Sequence, residues 1–303
     1  MALTKEYIFT LTCLKEIGIK GVGPKKVLAI GSAINDKKLS IESLEDLASL
    51  MRTMKENAIN GVSLDDLQKA YKYAINIVEA SKAEGIGLKG YYDEDFPESL
   101  RKTVDEDGKV NPPLLLWYRG DFSITKLPGI AVIGTREPTK EGTIGGKYLA
   151  CEFSKRGFNI VSGLATGCDT CGHQGALDAN GKTTAILANG LDGKSIYPPE
   201  NRELAENIVN RGGLLLSEYP INTSVNRYSL VARDRLQSGL AQATLVIQTG
   251  KVGGTMHAAK ATMEANKPLY VMLFKNEETN KQEKCLGNEI LHEQGAIYIK
   301  GND

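Results

Sequence analysis

From Gly129 onward, short apolar runs alternate with stretches of helical periodicity, and this rhythm restricts the fold more than any other feature of the sequence. Runs at Ile130–Ile133, Asn159–Ser162, Thr184–Ala188, Leu214–Ser217, Thr244–Gln248 and Pro268–Leu273 read as buried strands. Helices are expected near 140–156, 169–180, 200–211, 227–241 and 254–266. Strand, helix and strand at this spacing require right-handed crossovers, so the strands lie parallel and helices cover both faces of the sheet.

The expected fold class is therefore α/β, an extended Rossmann-like, doubly wound and mostly parallel sheet, assigned to a domain spanning 85–303. A small all-α domain precedes it at 1–84. There Ile8, Leu11, Leu14 and Ile17 recur at helical spacing, and Leu64, Leu67, Tyr71, Ala74 and Val78 do so again behind an N-cap signal at Ser63-Leu-Asp-Asp66. Between these helices, Ile19-Lys-Gly-Val-Gly-Pro-Lys-Lys26 combines a tight glycine turn with a proline suited to opening a helix. It resembles a helix-hairpin-helix (SAM-like) module, whose turn serves either as a phosphate cradle or as a purely structural connection. Residues 85–128 read as a linker that feeds an edge strand, Leu114–Tyr118, into the second domain.

Composition narrows the function classes. Of 303 residues, 41% are hydrophobic, enough to exclude global disorder, and Lys+Arg and Asp+Glu balance at 37 each, which excludes a cationic coat for nucleic acid. Any anion site must be local. No window approaches the roughly 18 apolar residues of a membrane span, and Met1–Glu6 is not a charged segment leading into an apolar core. With five cysteines, an odd number that fits free thiols, the expected location is the cytoplasm. Cys168 and Cys171 form a Cys-x-x-Cys pair with only His173 near by, so packing is expected of them, with no metal or redox role.

In doubly wound sheets, ligands bind beyond the carboxyl ends of the strands. The residues following the runs are Gly134-Thr135-Arg136, then Ser162-Gly163-Leu-Ala-Thr-Gly167, Asn189-Gly190, Glu218-Tyr219-Pro220 and Thr249-Gly250-Lys251-Val-Gly253-Gly254-Thr255. Glycines admit close backbone approach, hydroxyls add donors, and helix N-termini add partial positive charge, so the set describes an anion-binding rim. Neither a dinucleotide Gly-x-Gly-x-x-Gly after the first strand nor a P-loop is present. Arg227, Arg233 and Arg235 on one expected helix add guanidinium groups suited to phosphates and base faces, or else to a structural ion-pair network. His173, His257 and His292 lie in separate segments, and Glu218 and Asp169 are isolated acids, so no catalytic constellation is expected.

Six blocks in order, Ala131–Arg136, Val161–Asp169 with His173–Leu177, Asn189–Asp192, Tyr197–Asn201, Leu215–Pro220 and Arg233–Leu240, resemble the DprA/Smf family of DNA-processing proteins over about residues 90–275. The resemblance implies a single-stranded DNA-binding protein that protects incoming or exposed strands and assists loading of a RecA-type recombinase. It further implies a homodimer with no membrane association, cofactor or catalytic turnover. Its contact residues would be Gly134, Thr135, Arg136, Ser162, Gly163, Arg227, Arg233, Arg235, Lys251, Gly253, Gly254 and Thr255. This chain departs from the family pattern at Asp234, where Asn is usual, at Gly253-Gly254-Thr255 in place of Ser-Gly-Ser, and in lacking a C-terminal winged helix. The alternative is a nucleotide-derivative sensor or phosphoribohydrolase-like protein. Those enzymes need glutamates directly after the glycine loop, whereas here Met256-His257 follow and the first acid on the helix is Glu264.

Overall fold

The computed structural model describes residues 4–36, 41–54, 58–105 and 107–300. The chain forms two compact units: the first takes in residues up to Phe96 together with Pro113–Trp117, and the second takes in Pro97–Pro112 and everything from Tyr118 on.

The first unit holds α1 (Thr4–Cys13), α2 (Pro24–Asn35), α3 (Leu44–Thr53), α4 (Leu64–Ala83), β1 (Gly87–Gly90) and the start of β2 (Leu115–Gly120). Ser63 caps α4 as its sequence suggests: its hydroxyl accepts from Asp66 N at 3.1 Å, and the Asp66 carboxylate accepts from Ser63 N at 2.9 Å. Pro24 occupies the first turn of α2, where its missing N–H costs nothing. In the same first turn of α2, Lys26 is tied to the Ala58 carbonyl at 2.8 Å. Ile8, Leu11, Leu14, Leu67 and Ala74 form a buried core. The residues that follow α4, through Phe96, belong to this unit as well. Trp117 sets its ring edge-on to Phe9 at 5.2 Å, Tyr92 donates to the Leu28 carbonyl, and Lys5 pairs with Asp93.

The second unit opens with the short helix α5 (Glu98–Arg101) and then alternates β3 (Gly129–Ile133), α6 (Lys140–Lys155), β4 (Asn159–Ser162), α7 (Cys168–Asp178), β5 (Thr183–Leu187), α8 (Arg202–Asn210), β6 (Leu214–Ser217), α9 (Arg227–Leu240), β7 (Ala243–Val246), α10 (Gly254–Glu264), β8 (Leu269–Met272), α11 (Glu277–Asn280), α12 (Leu286–Glu293) and β9 (Ile297–Ile299). The six predicted strands and five predicted helices of this unit are all present, shifted by a residue or two at their ends. The last strand and the two helices before it were not predicted.

Strands β3 to β9 are parallel and run in the order β6-β5-β4-β3-β7-β8-β9. Period-two alternation sorts their side chains between the two faces. Ile130, Val132 and Leu245 pack with Leu149, Cys168 and Cys171, whereas Ile133, Val246 and Val271 pack with Ala258, Ala259 and Leu291. Cys168 and Cys171 are thus buried among apolar side chains, and burial raises both thiol pKa values. Beyond β3 the chain winds one way through β4, β5 and β6 and returns on the other side at β7. The loops after β3 and β7 therefore diverge and leave a crevice between them at the topological switch point. Among the described residues, no helix is long and apolar enough to cross a membrane.

Candidate nucleic-acid interface

The crevice has a volume of about 590 Å³ and is lined by the loops after β3 and β7, by Ala165 and Asp169 after β4, by α9 from Arg227 to Gln237 and by the first turn of α10. The β3 loop is locked in place. Gly134 has φ +159°, and a Cβ there would lie 2.6 Å from Cys168 Sγ and 2.7 Å from the Gln248 carbonyl, so only glycine fits. Thr135 N–H donates to that same Gln248 carbonyl at 2.7 Å, and the Thr135 carbonyl accepts from Cys168 N at 3.1 Å. These bonds hold the peptide of Thr135 between β7 and α7 and leave Arg136 exposed at the mouth of the crevice.

The β7 loop is anchored from behind. Asn288 on α12 accepts from Thr249 N at 2.9 Å and donates to the carbonyls of Ile247 and Met272. Gln248 Nε2 reaches Cys285 Sγ and the Thr139 hydroxyl, and its Oε1 accepts from Thr139 N. Thr249-Gly250, Val252 and Gly253-Gly254-Thr255 then face the crevice, with Gly253 as the N-cap of α10, whose first-turn N–H groups lack helical acceptors. Lys251 is exposed in the same loop but does not line the crevice.

Of the expected contact residues, the structure brings together Gly134, Thr135, Arg136, Arg227, Arg233, Gly253, Gly254 and Thr255 around this one space. Arg227 sits at the start of α9, exposed at the rim. Ser162 and Gly163 lie beneath it: the Ser162 hydroxyl donates to the Val132 carbonyl, and Gly163 N–H donates to Asp169 Oδ2. Gly163 also makes room for Arg233, since a side chain there would overlap the guanidinium. Arg233 is buried, giving Nη1 to the Ile186 carbonyl at 2.6 Å and Nε to Asp234 Oδ1 at 3.1 Å. Arg235 faces elsewhere: it pairs with Glu218 through both terminal nitrogens and donates to the carbonyls of Asn111 and Ala232.

Three arginines and three acids line the crevice, so position, not number, sets its polarity. Arg136 and Arg227 are exposed at the mouth together with one acid, Glu137, while Asp169 and Asp234 are buried at the floor with Arg233. Burial pushes the Asp169 carboxyl above its usual range against the pull of Arg233. Burial also raises Asp234 to about 6, again opposed by Arg233. His173 lies fully buried outside this lining, its Nδ1 2.7 Å from the Thr183 hydroxyl, and burial lowers its pKa to about 3, so it is neutral. Sequence reasoning missed Val252 and His257, which line the crevice, and the exposed ring of Tyr228 beside Arg227. The sole signal for Tyr228 was an aromatic residue next to an arginine at a helix start.

Residues 88–303 match the family model for DNA recombination-mediator protein A. The chain belongs to that family. Among relatives of DNA recombination-mediator protein A, it is 35% identical to protein Smf of Synechocystis over 214 residues, 69% of this chain and 51% of that one. It is 28% identical to the DNA processing protein DprA of Bacillus subtilis over 232 residues, 76% of this chain and 75% of its relative. The match thus spans about half of the Synechocystis protein. The fold agrees with that of Streptococcus pneumoniae DprA at a TM-score of 0.75, with 23% identity over 100% of this chain and 97% of that one. Helicobacter pylori DNA processing protein A, solved for its single-stranded DNA binding mode, superposes at 0.60 with 29% identity, covering 71% of this chain and 90% of that one.

Proposed function

We propose that this family member binds single-stranded DNA over the carboxyl ends of its parallel strands, as a binding protein without catalytic turnover. The observation that carries the reading is the crevice at the β3/β7 switch point, with exposed Arg136 and Arg227 at its mouth and the glycine-started α10 beside them. Phosphates lie at Gly134, Thr135, Arg136 and Arg227 and along Gly253-Gly254-Thr255, with Lys251 adding attraction from outside the lining. Ser162, Gly163, Arg233 and Arg235 act from below, by holding the loops. The single-stranded DNA binding described for the Helicobacter pylori relative supports the same ligand class here. On this reading the protein protects exposed strands, works as a homodimer and passes DNA to a RecA-type recombinase in the cytoplasm.

The test is Arg136→Ala, titrated with a labelled oligonucleotide and with free nucleotides at several salt concentrations. Each phosphate neutralised on a single strand contributes about −0.7 to the slope of log K against log salt, so the variant should bind all sequences more weakly with a slope flatter by about 0.7. Unchanged oligonucleotide affinity and slope would overturn the reading. Loss confined to free nucleotides would replace it with a nucleotide-binding one.

A further inference from the structure

The floor of the crevice is built to accept hydrogen bonds, whereas its mouth is built to hold phosphate. Asp234 is almost entirely buried, and its Oδ1 is engaged by Arg233 Nε at 3.1 Å. Its other oxygen, Oδ2, lies 3.7 Å from the point where a side chain on Gly254 would begin, so it sits against the inner edge of the N-terminal turn of α10, and both residues line the crevice. The outer N–H groups of that turn hold a phosphate at the rim. A phosphate pushed past them to the floor would meet a fixed carboxylate at close range, and Coulomb repulsion drives it back to the rim. Arg233 is shared between Asp234 and Asp169 there, and the pull of Arg233 and of His257, which also lines the crevice, is outweighed by the burial of Asp234. Asp169 accepts from the N–H groups of Gly163 and Ala165 through its Oδ2, and Asp234 is the floor acid that also lies beside the start of α10.

We propose that Asp234 is a specificity residue: a nucleobase enters the crevice edge-first, and its exocyclic amino group donates to Asp234 Oδ2 while the flanking phosphates stay on Arg136 and Arg227. The volume of about 590 Å³ admits a base with part of its sugar. Cytosine, adenine and guanine carry such an amino group. Thymine presents only carbonyl oxygens and a ring N–H on that edge, and its carbonyl would sit against the carboxylate. This inference rests on the single-stranded DNA reading and adds a base preference to it.

The experiment compares twelve-nucleotide homopolymers of dC, dT and N4,N4-dimethyl-dC on the full chain at pH 8, where Asp234 is ionised. The two pyrimidines have similar stacking surfaces, and homopolymers remove any choice of register. A hydrogen bond to a charged group is expected to make dC bind about tenfold more tightly than dT, and dimethylation, which deletes the donor but keeps the ring, should bring dC down to the level of dT. In Asp234→Asn, whose amide can turn either its oxygen or its nitrogen to the base, the gap should close to within about threefold. Equal binding of dC and dT by the parent, or of dC and its dimethyl form, overturns the proposal without needing the variant to fold. A preference for dC that survives in folded Asp234→Asn also overturns it. Failure of every oligomer to bind removes the single-stranded DNA reading itself.

Discussion

Arg235 and Glu218 meet in a two-pronged ion pair, Nη1 to Oε2 at 2.8 Å and Nη2 to Oε1 at 2.7 Å, which joins the middle of α9 to the loop after β6. The Arg235 side chain is only 7% exposed and that of Glu218 20%, so water does little to screen the pair. Its consequence is structural: α9, which carries Arg227 to the rim and Asp234 to the floor, is held against the strand ends. Arg235→Ala, which leaves Glu218 without its partner, should cost about 3–5 kcal/mol of stability. Chemical denaturation measures that loss, and the salt slope of DNA binding by the remaining folded protein should not change. A flatter slope with full stability would place Arg235 on the DNA.

Gly134→Ala introduces a methyl group into space already held by Cys168 Sγ and the Gln248 carbonyl, at 2.6 and 2.7 Å. One of those neighbours is backbone and cannot yield cheaply, so overpacking of about 1–3 kcal/mol is expected, with a shifted Thr135-Arg136 loop. Thermal unfolding should show the loss. Oligonucleotide affinity should fall further than for Gly157→Ala, which lies in open space at the turn after α6.

The acid at the floor makes stability depend on pH. Burial raises Asp234 from 3.8 to about 6 in the folded protein, so the folded state holds this proton more tightly than the unfolded chain does. The associated stability is present in full below about pH 4 and is lost as pH rises through about 6. Asp234→Asn cannot ionise, so its stability relative to the parent should climb between those two values and level off above them, by on the order of 2–3 kcal/mol at most, given 1.36 kcal/mol per unit. Urea denaturation of both proteins across that window checks the sign, and a gap that stays constant would assign the charge to another group.

Thiol accessibility should separate the cysteines. Cys13, Cys168, Cys171 and Cys285 are buried and Cys151 is half-buried, and burial pushes Cys13 up to about 12. Cys151 should therefore react first with a maleimide under native conditions, and the others only on unfolding. Mass mapping of a short labelling pulse decides the order. Rapid labelling of Cys168 would mean that the locked β3 loop opens.

The strands and crossing helices of the second unit were legible because a parallel sheet buries both faces, and each buried strand must then be a continuous apolar run. The glycine-rich strand ends were legible for a related reason, since close backbone approach selects glycine whatever the partner. Strand β9 was not, because Ile297-Tyr298-Ile299 is three residues long and only partly buried, too short to display a period. The arginines of α9 show most clearly what the linear pattern omits. Arg227, Arg233 and Arg235 look equivalent along the chain, yet Arg233 is held by the carbonyl of Ile186, 47 residues away, and Arg235 by that of Asn111, 124 residues away. Sequence alone determined that there would be a doubly wound sheet with a polar, glycine-lined rim, because hydrophobic periodicity and backbone sterics are local. Only the tertiary structure decided which cation faces the ligand and which is neutralised by protein, because a charged group's partner is set by the packing of distant segments and leaves no trace in its own neighbourhood.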